Sequence, residues 1–167
     1  TESGGLGDVK VAALVRLAAP GRTRFHATLG VSLPTGSIDE TGDTPMGDDQ
    51  QLPYPMQVGS GTVDLQPSLT YLGQSDQFGW GAQARGTVRL GQNDRDYALG
   101  NRVGGTLWGS VLVGDAFSLS ARVDGQTWED VDGADPAYAM GVANRVVPTV
   151  FTDLRSGTRV DLSVGAN

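Results

Sequence analysis

Seven segments of the chain alternate apolar and polar residues with a period of two, which is typical of β-strands with one apolar and one polar face. They span residues 9–17, 25–33, 63–71, 78–90, 99–113, 117–126 and 158–166. Pro67 falls inside the third segment, where it cannot donate a hydrogen bond to a neighbouring strand. No segment carries a useful helical period. The pattern predicts an all-β chain, an antiparallel up-and-down meander of about seven strands, with residues 1–167 forming one unit.

The connections between these segments alternate in length. Short turns are predicted at 18–23, 73–77 and 114–116, and long loops at about 36–57, 91–98 and 130–157. An up-and-down meander then has every short turn at one end of the sheet and every long loop at the other. Outer-membrane β-barrels have this asymmetry, so the connections favour part of a transmembrane β-barrel over a soluble sandwich.

The two predicted faces differ in charge. The apolar face carries no charged residue, whereas the opposite face carries eight basic residues and four acidic ones, Asp8 among them, a net charge of +4. The charges on such a face have to be hydrated or paired with one another, and we expect the face to line a lumen. The predicted lumen-lining residues are Lys10, Arg16, Arg24, His26, Asp64, Arg85, Arg89, Arg102, Arg122, Asp124, Arg159 and Asp161.

Aromatic residues gather on the apolar face within a few residues of the short turns. These are Phe25, Tyr71, Phe78, Trp80 and Phe117. Aromatic side chains prefer the membrane interface, so the group is predicted to be the girdle at the short-turn boundary of a barrel. The alternative is that these rings close one end of a soluble barrel or sandwich core.

The amino-acid composition excludes several kinds of functional site. The 167 residues include 25 Gly and no Cys, which excludes disulfides, thiolate metal sites and thiol nucleophiles. The net charge of −7 argues against reliance on overall positive charge to bind nucleic acid. His26 is the single histidine and has no local catalytic partner, so we expect it to line the lumen or form a hydrogen bond. An enzyme would need a site assembled from His26 and distant acids, and no catalytic residue is predicted.

Acidic residues concentrate in the long loops and are weak candidates for calcium ligands. The candidates are Asp39, Asp43, Asp130, Asp132 and Asp135. Counted from Asp39, the glycine falls at the fourth position instead of the sixth, and no Glu closes a twelve-residue loop, so the EF-hand pattern is absent. The other interpretation of these acids is a solvated loop. No other cofactor is predicted.

Several short motifs together resemble a known family. They are Gly5-Leu6-Gly7-Asp8-Val9-Lys10, Leu33-Pro34-Thr35-Gly36-Ser37-Ile38-Asp39, Leu52-Pro53-Tyr54-Pro55-Met56-Gln57, Gly59-Ser60-Gly61-Thr62 and Gly133-Ala134-Asp135-Pro136. In these stretches the chain resembles outer-membrane β-barrel proteins of the family named for the meta-pathway of phenol degradation. The resemblance implies a porin-like protein of the Gram-negative outer membrane that takes up small aromatic compounds. The basic residues of the polar face, in turn, favour anionic compounds. It carries over no catalytic residue.

Seven strands are an odd number and fewer than the eight of the smallest common barrels. We therefore expect an internal fragment or processed form of a longer barrel, closed by further strands of the same chain or by other copies. The expected partners are outer-membrane lipid and a small solute, and no nucleic acid. The alternative function is a soluble or surface-attached β-sandwich or solenoid, a structural or adhesion module whose acidic loops bind calcium.

Overall fold

The computed structural model describes residues 4–44, 47–114, 117–133, 135 and 156–166, and these form an all-β structure. In chain order the strands are β1 (Val9–Ala18), β2 (Thr23–Leu33), β3 (Thr41–Thr44), β4 (Gly47–Gln51), β5 (Val63–Gln74), β6 (Phe78–Leu90), β7 (Tyr97–Ala98), β8 (Arg102–Val113), β9 (Phe117–Trp128), β10 (Asp132–Gly133) and β11 (Gly157–Ala166). One short 3₁₀ helix, Tyr54–Met56, lies between β4 and β5. The described residues include no helix long and apolar enough to cross a membrane.

The seven long strands form one antiparallel sheet in the order β1-β2-β5-β6-β8-β9-β11, so the predicted meander is confirmed. Residues that face each other on neighbouring strands share a face of the sheet. One polar row crosses all seven strands through Arg16, His26, Thr70, Gln83, Thr106, Asp124 and Asp161. The alternation in the sequence therefore matches the pairing register of the sheet.

The connections sort by length as the sequence suggests, although their boundaries differ. Short links join β1 to β2, β5 to β6 and β8 to β9 at one end of the sheet, the turn end, and longer links occupy the other, the loop end. The prediction that Leu99 begins the fifth strand is wrong, because Tyr97–Ala98 pairs instead with Asp132–Gly133 and β8 begins at Arg102. The first long loop contains the β3–β4 hairpin. Residues 136–155 of the third predicted loop lie outside the described residues.

Each tryptophan of the sheet lies across a glycine on the neighbouring strand. Trp108 faces Gly81 in the register, and a Cβ placed on Gly81 would come within 2.3 Å of the indole ring. Trp80 covers Gly73 and Trp128 covers Gly157 in the same way. The glycines therefore make room for large rings to lie flat on the sheet, a cross-strand arrangement that stabilises sheets without a deep core.

Burial is distributed unusually. The buried hydrophobic side chains of the described residues are Ile38, Leu52, Tyr97 and Ala98, and none belongs to the seven-stranded sheet. Apolar-face residues in the middle of the strands, such as Leu107, stay 63% exposed. The sheet instead buries polar residues of its other face, Ser32, Asp64, Thr70 and Thr106. The fold thus leaves its apolar face uncovered and encloses part of its polar face.

Candidate functional site

A buried ion pair lies on the polar face close to the loop end. Asp64 on β5 faces Arg89 on β6, and the Asp64 carboxylate accepts a hydrogen bond from Arg89 Nη1. Thr62 Oγ1 donates a second hydrogen bond to Asp64, at 2.7 Å. The Asp64 side chain is 2% exposed and that of Arg89 is 10% exposed. This pair is the most enclosed charge pair of the sheet, and a buried pair of this kind depends on keeping both partners.

Three polar atoms around this pair are buried without a hydrogen-bond partner in the described residues: Ser32 Oγ, Arg89 Nε and Arg102 Nε. Ser32 faces Asp64 from β2. Arg102 faces Thr87, two residues before Arg89 on the same face of β6, and the positive charges of Arg102 and Arg89 interact. Two guanidinium groups therefore share a region that holds one strand carboxylate.

Farther along the polar face, arginines and aspartates pair across the strands. Both terminal nitrogens of Arg85 donate to the Asp124 carboxylate, at 2.8 and 2.7 Å. Gly104 lies between them on β8 and lets the Arg85 side chain cross that strand. On β11, Arg159 pairs with Asp161 at 2.8 Å, and both side chains are well exposed. With Asp64 and Arg89, six of the predicted lumen residues are thus paired with one another.

Apart from Arg102, the other predicted lumen residues are more open. The Arg122 guanidinium lies 5.6 Å from the centroid of the Trp108 ring, within the range of a cation–π contact. Lys10 and Arg16 lie on the exposed edge strand β1, where Arg16 faces His26. Arg24 lines a cleft of about 640 Å³ at the turn end together with Arg22, Asp76 and Trp108. The polar face therefore changes from enclosed at the loop end to open at the turn end.

The five predicted girdle aromatics lie together on the apolar face at the turn end. Phe25 faces Tyr71 with ring centroids 4.8 Å apart, and Trp80 Nε1 donates to the Tyr71 hydroxyl at 3.3 Å. Phe78 and Phe117 are 54% and 68% exposed. The rings form a band along the strand ends and do not close a core.

At the loop end the long connections pack on one another in a group that we call the loop cluster: Asp39, Tyr54, Arg95, Tyr97 and Asp135. Arg95 bridges the two acids, donating from Nη1 to Asp39 at 2.7 Å and from Nε to Asp135 at 2.5 Å. Tyr54 and Tyr97 stack with ring centroids 4.1 Å apart, and the Tyr54 hydroxyl accepts the backbone N–H of Asp135 at 2.9 Å. Residues up to 96 positions apart in sequence are thereby held together.

The electrostatics of the loop cluster follow from this packing. Hydrogen bonds to Asp135, and then to Asp39, raise the pKa of Arg95 despite partial burial. Burial raises the pKa of Tyr54 and of Tyr97 by disfavouring the phenolate. All three groups therefore keep their ordinary charge at neutral pH, and the Asp135 carboxylate, 1% exposed, is neutralised within the cluster.

Asp8 ties the start of β1 to two of the loops. Its carboxylate accepts hydrogen bonds from Gly36 N–H at 3.0 Å, Ser60 N–H at 2.9 Å and Ser60 Oγ–H at 2.7 Å. Burial alone would raise the pKa of Asp8, but these hydrogen bonds outweigh it and hold the pKa below its ordinary value. Sequence reasoning placed Asp8 on the polar face without assigning this role.

The motifs behind the family resemblance meet at these contacts. Gly7-Asp8, Thr35-Gly36 and Gly59-Ser60 join around the Asp8 carboxylate, where a Cβ on Gly59 would come within 2.4 Å of the Gly36 carbonyl oxygen. Tyr54 and Asp135, which come from the other two motifs, are joined by the Tyr54 hydroxyl. The motifs were the one sequence signal that could have located these contacts.

The calcium candidates form no shared set of metal ligands among the described residues. Asp39 and Asp135 share Arg95, and the carboxylates of Asp130 and Asp132 accept from Ser156 N–H and Gln92 Nε2. Asp43 accepts from Asp49 N–H within the β3–β4 hairpin, at 3.4 Å. In the part of the chain that the structure describes, no three acidic or histidine side chains are grouped as metal ligands. A cleft of about 170 Å³ at the loop end is lined by Arg89 together with Glu129, Asp130 and Asp132.

Comparison of the sequence with protein-family models gives no match, and comparison with curated proteins gives none either. The family resemblance therefore stays a prediction based on the motifs.

Proposed function

We propose that the chain forms part of the wall of an outer-membrane pore for small aromatic or anionic compounds. The observation that carries this proposal is the uncovered apolar face: Val11, Leu69, Leu107 and Val160 lie on one side of the sheet and are 63%, 51%, 63% and 69% exposed. Water disfavours a continuous apolar surface of this kind, whereas hydrocarbon accepts it. The charged residues of the sheet face the opposite side, where a lumen would hydrate them.

The aromatic band supports this orientation. Phe25, Tyr71, Phe78, Trp80 and Phe117 would lie at one lipid–water interface, with the Tyr71 hydroxyl and the Trp80 indole N–H near the headgroups. Strands of 10 to 13 residues match the length that a tilted strand needs to cross the hydrocarbon. The loop cluster would then lie at the opposite surface, the extracellular side in such barrels.

Strand direction restricts how this wall could close. β1 and β11 are the edges of a sheet in which neighbours alternate in direction, so the two edge strands run the same way. A fully antiparallel barrel therefore needs an odd number of additional strands between them. A second copy inserted in the same orientation would bring β1 against β11 in parallel, which outer-membrane barrels avoid.

The proposal can be tested with two leucines of equal exposure on opposite faces. Leu107 on the apolar face is 63% exposed and Leu14 on the polar face is 65% exposed. In phospholipid vesicles, Leu107→Arg is expected to lower the free energy of unfolding by about 2–4 kcal/mol, the cost of arginine at the midplane, and Leu14→Arg by less than about 1 kcal/mol. The measurement is urea unfolding of the vesicle-bound protein, followed by tryptophan fluorescence.

Conductance steps in planar bilayers are the second expected result. Equal costs for the two arginine variants, or a monomeric protein that is stable in detergent-free buffer without lipid, would contradict the pore. The latter outcome would favour the soluble or surface-attached module instead.

A further inference from the structure

Three side chains of the polar face each carry a buried polar atom that lacks a hydrogen-bond partner among the described residues. Ser32 Oγ, Arg89 Nε and Arg102 Nε are all buried and have no partner among the described residues. The Arg89 side chain is 10% exposed and Ser32 is 1% exposed. A buried donor without an acceptor costs about 1–3 kcal/mol, and more when it is charged, so three in one region point to a missing acceptor.

The pairing register brings the three donors to one place. Ser32 and Arg89 face Asp64 from its two sides, which puts their Cα atoms about 10 Å apart, two strand spacings. Arg102 faces Thr87, a diagonal neighbour of Arg89 on the same face, where long side chains meet. The donors therefore surround one patch of the polar face beside Asp64.

The two arginines of this patch differ in their acidic partners. Asp64 is bound to Arg89 Nη1 and Thr62 Oγ1, and Arg102 forms no ion pair within the described residues. The Asp8 carboxylate, whose charge also acts on Arg89, accepts hydrogen bonds from Ser60 and Gly36. Arg102 is thus the guanidinium group of this patch that lacks an acidic partner among the described residues. A monoanion would supply that partner while adding the least negative charge beside Asp64 and Asp8.

We propose that Ser32, Arg89 and Arg102 bind the carboxylate of a small organic monoanion. The Nε–H and adjacent Nη–H of a guanidinium form two parallel hydrogen bonds to a carboxylate, and the buried Nε atoms of both arginines have no other partner among the described residues. The Ser32 hydroxyl adds a third donor. This inference rests on the proposed function in that it names the solute class of the same lumen, but binding requires only the folded chain.

Acetate is the probe, measured by saturation-transfer NMR on the whole chain in detergent micelles and chloride-free buffer. Arg102→Gln is expected to weaken acetate binding at least tenfold. Arg102→Lys keeps the charge but lacks the Nε–H, so a threefold to tenfold loss is expected. Ser32→Ala, which changes little volume, is expected to weaken binding about tenfold, the loss of one hydrogen bond to a charged group. The matched control is Arg159→Gln, whose side chain is 72% exposed and which should bind within twofold of the natural chain.

Three results would overturn the proposal: no acetate saturation in the natural chain, equal affinity in the Arg102→Gln and natural chains, or displacement of acetate by an equal concentration of chloride. Planar-bilayer recordings separate this inference from the pore. A chain that binds acetate but does not conduct removes the pore and keeps the site, and a chain that conducts without binding acetate does the reverse.

Discussion

The sheet and the loop cluster are stabilised in opposite ways. The sheet leaves Leu107 and Val160 of its apolar face exposed and encloses Asp64, Thr70 and Thr106 on its polar face. The loop cluster and its surroundings bury hydrophobic residues, Leu52 and Tyr97 among them, in the manner of a small soluble core. Within the described residues, the sheet therefore has no hydrophobic core of its own, whereas the loop end has a small one.

The ion pairs at the two ends of the molecule also differ in burial. Arg95 and Asp135 of the loop cluster pair where Asp135 is 1% exposed, whereas Arg22 and Asp76 at the turn end pair with side chains 64% and 87% exposed. A pair in the first setting is costly to break, and a pair in the second contributes little. The loop end is therefore where single substitutions should have their largest effects.

The largest effect is expected from Arg95→Met. This change removes the guanidinium from the buried Asp135 carboxylate and from Asp39, so the loop cluster should lose about 3–5 kcal/mol of local stability. The measurement is hydrogen exchange of the amides around Tyr97 and Asp135. The matched control Arg22→Met breaks an exposed pair and should cost about 0–1 kcal/mol. If both variants lose the same amount of local stability, the burial of an ion pair does not determine how much it contributes at the two ends.

The sheet was predictable because its information is local. The period of two, the turn residues and the charge-free face gave seven strands, their order and their faces, with an error at Leu99 where the β7–β10 pairing intervenes. The loop cluster was not predictable, because no periodic pattern links its members. Arg95 binds Asp39 and Asp135, which lie 56 and 40 residues away from it in the sequence. Asp39 and Asp135 are among the residues predicted as calcium ligands, but their partner in the structure is Arg95.

A smaller effect is expected within the sheet from Gly81→Ala. The added Cβ would lie 2.3 Å from the Trp108 ring, which has to move, and overpacking of this kind costs about 1–3 kcal/mol. Gly125→Ala is the control, because nothing lies within 4 Å of its Cβ position, and it should be neutral or stabilising by about 0.5–1 kcal/mol. Urea unfolding in vesicles measures both variants. If Gly81→Ala and Gly125→Ala change the free energy of unfolding equally, the position of the Trp108 ring does not depend on Gly81. The packing of rings over glycines would then contribute little to the stability of the sheet.

The smallest effect is a pH dependence at the loop end. The pKa of Asp8 is lower in the folded chain than the ordinary value near 3.9, so its ionised form stabilises the contacts of Gly36 and Ser60. This contribution is complete above the unfolded pKa and is lost as the pH falls through the lower folded pKa. The Gly36 and Ser60 amide protons should therefore shift in NMR spectra with a midpoint below pH 3.9, and the shift should vanish in Asp8→Asn. Asp76→Asn, an exposed control at the turn end, should leave it unchanged. A midpoint at or above the ordinary value would show that burial outweighs the hydrogen bonds, and that Asp8 does not anchor the loops to the sheet.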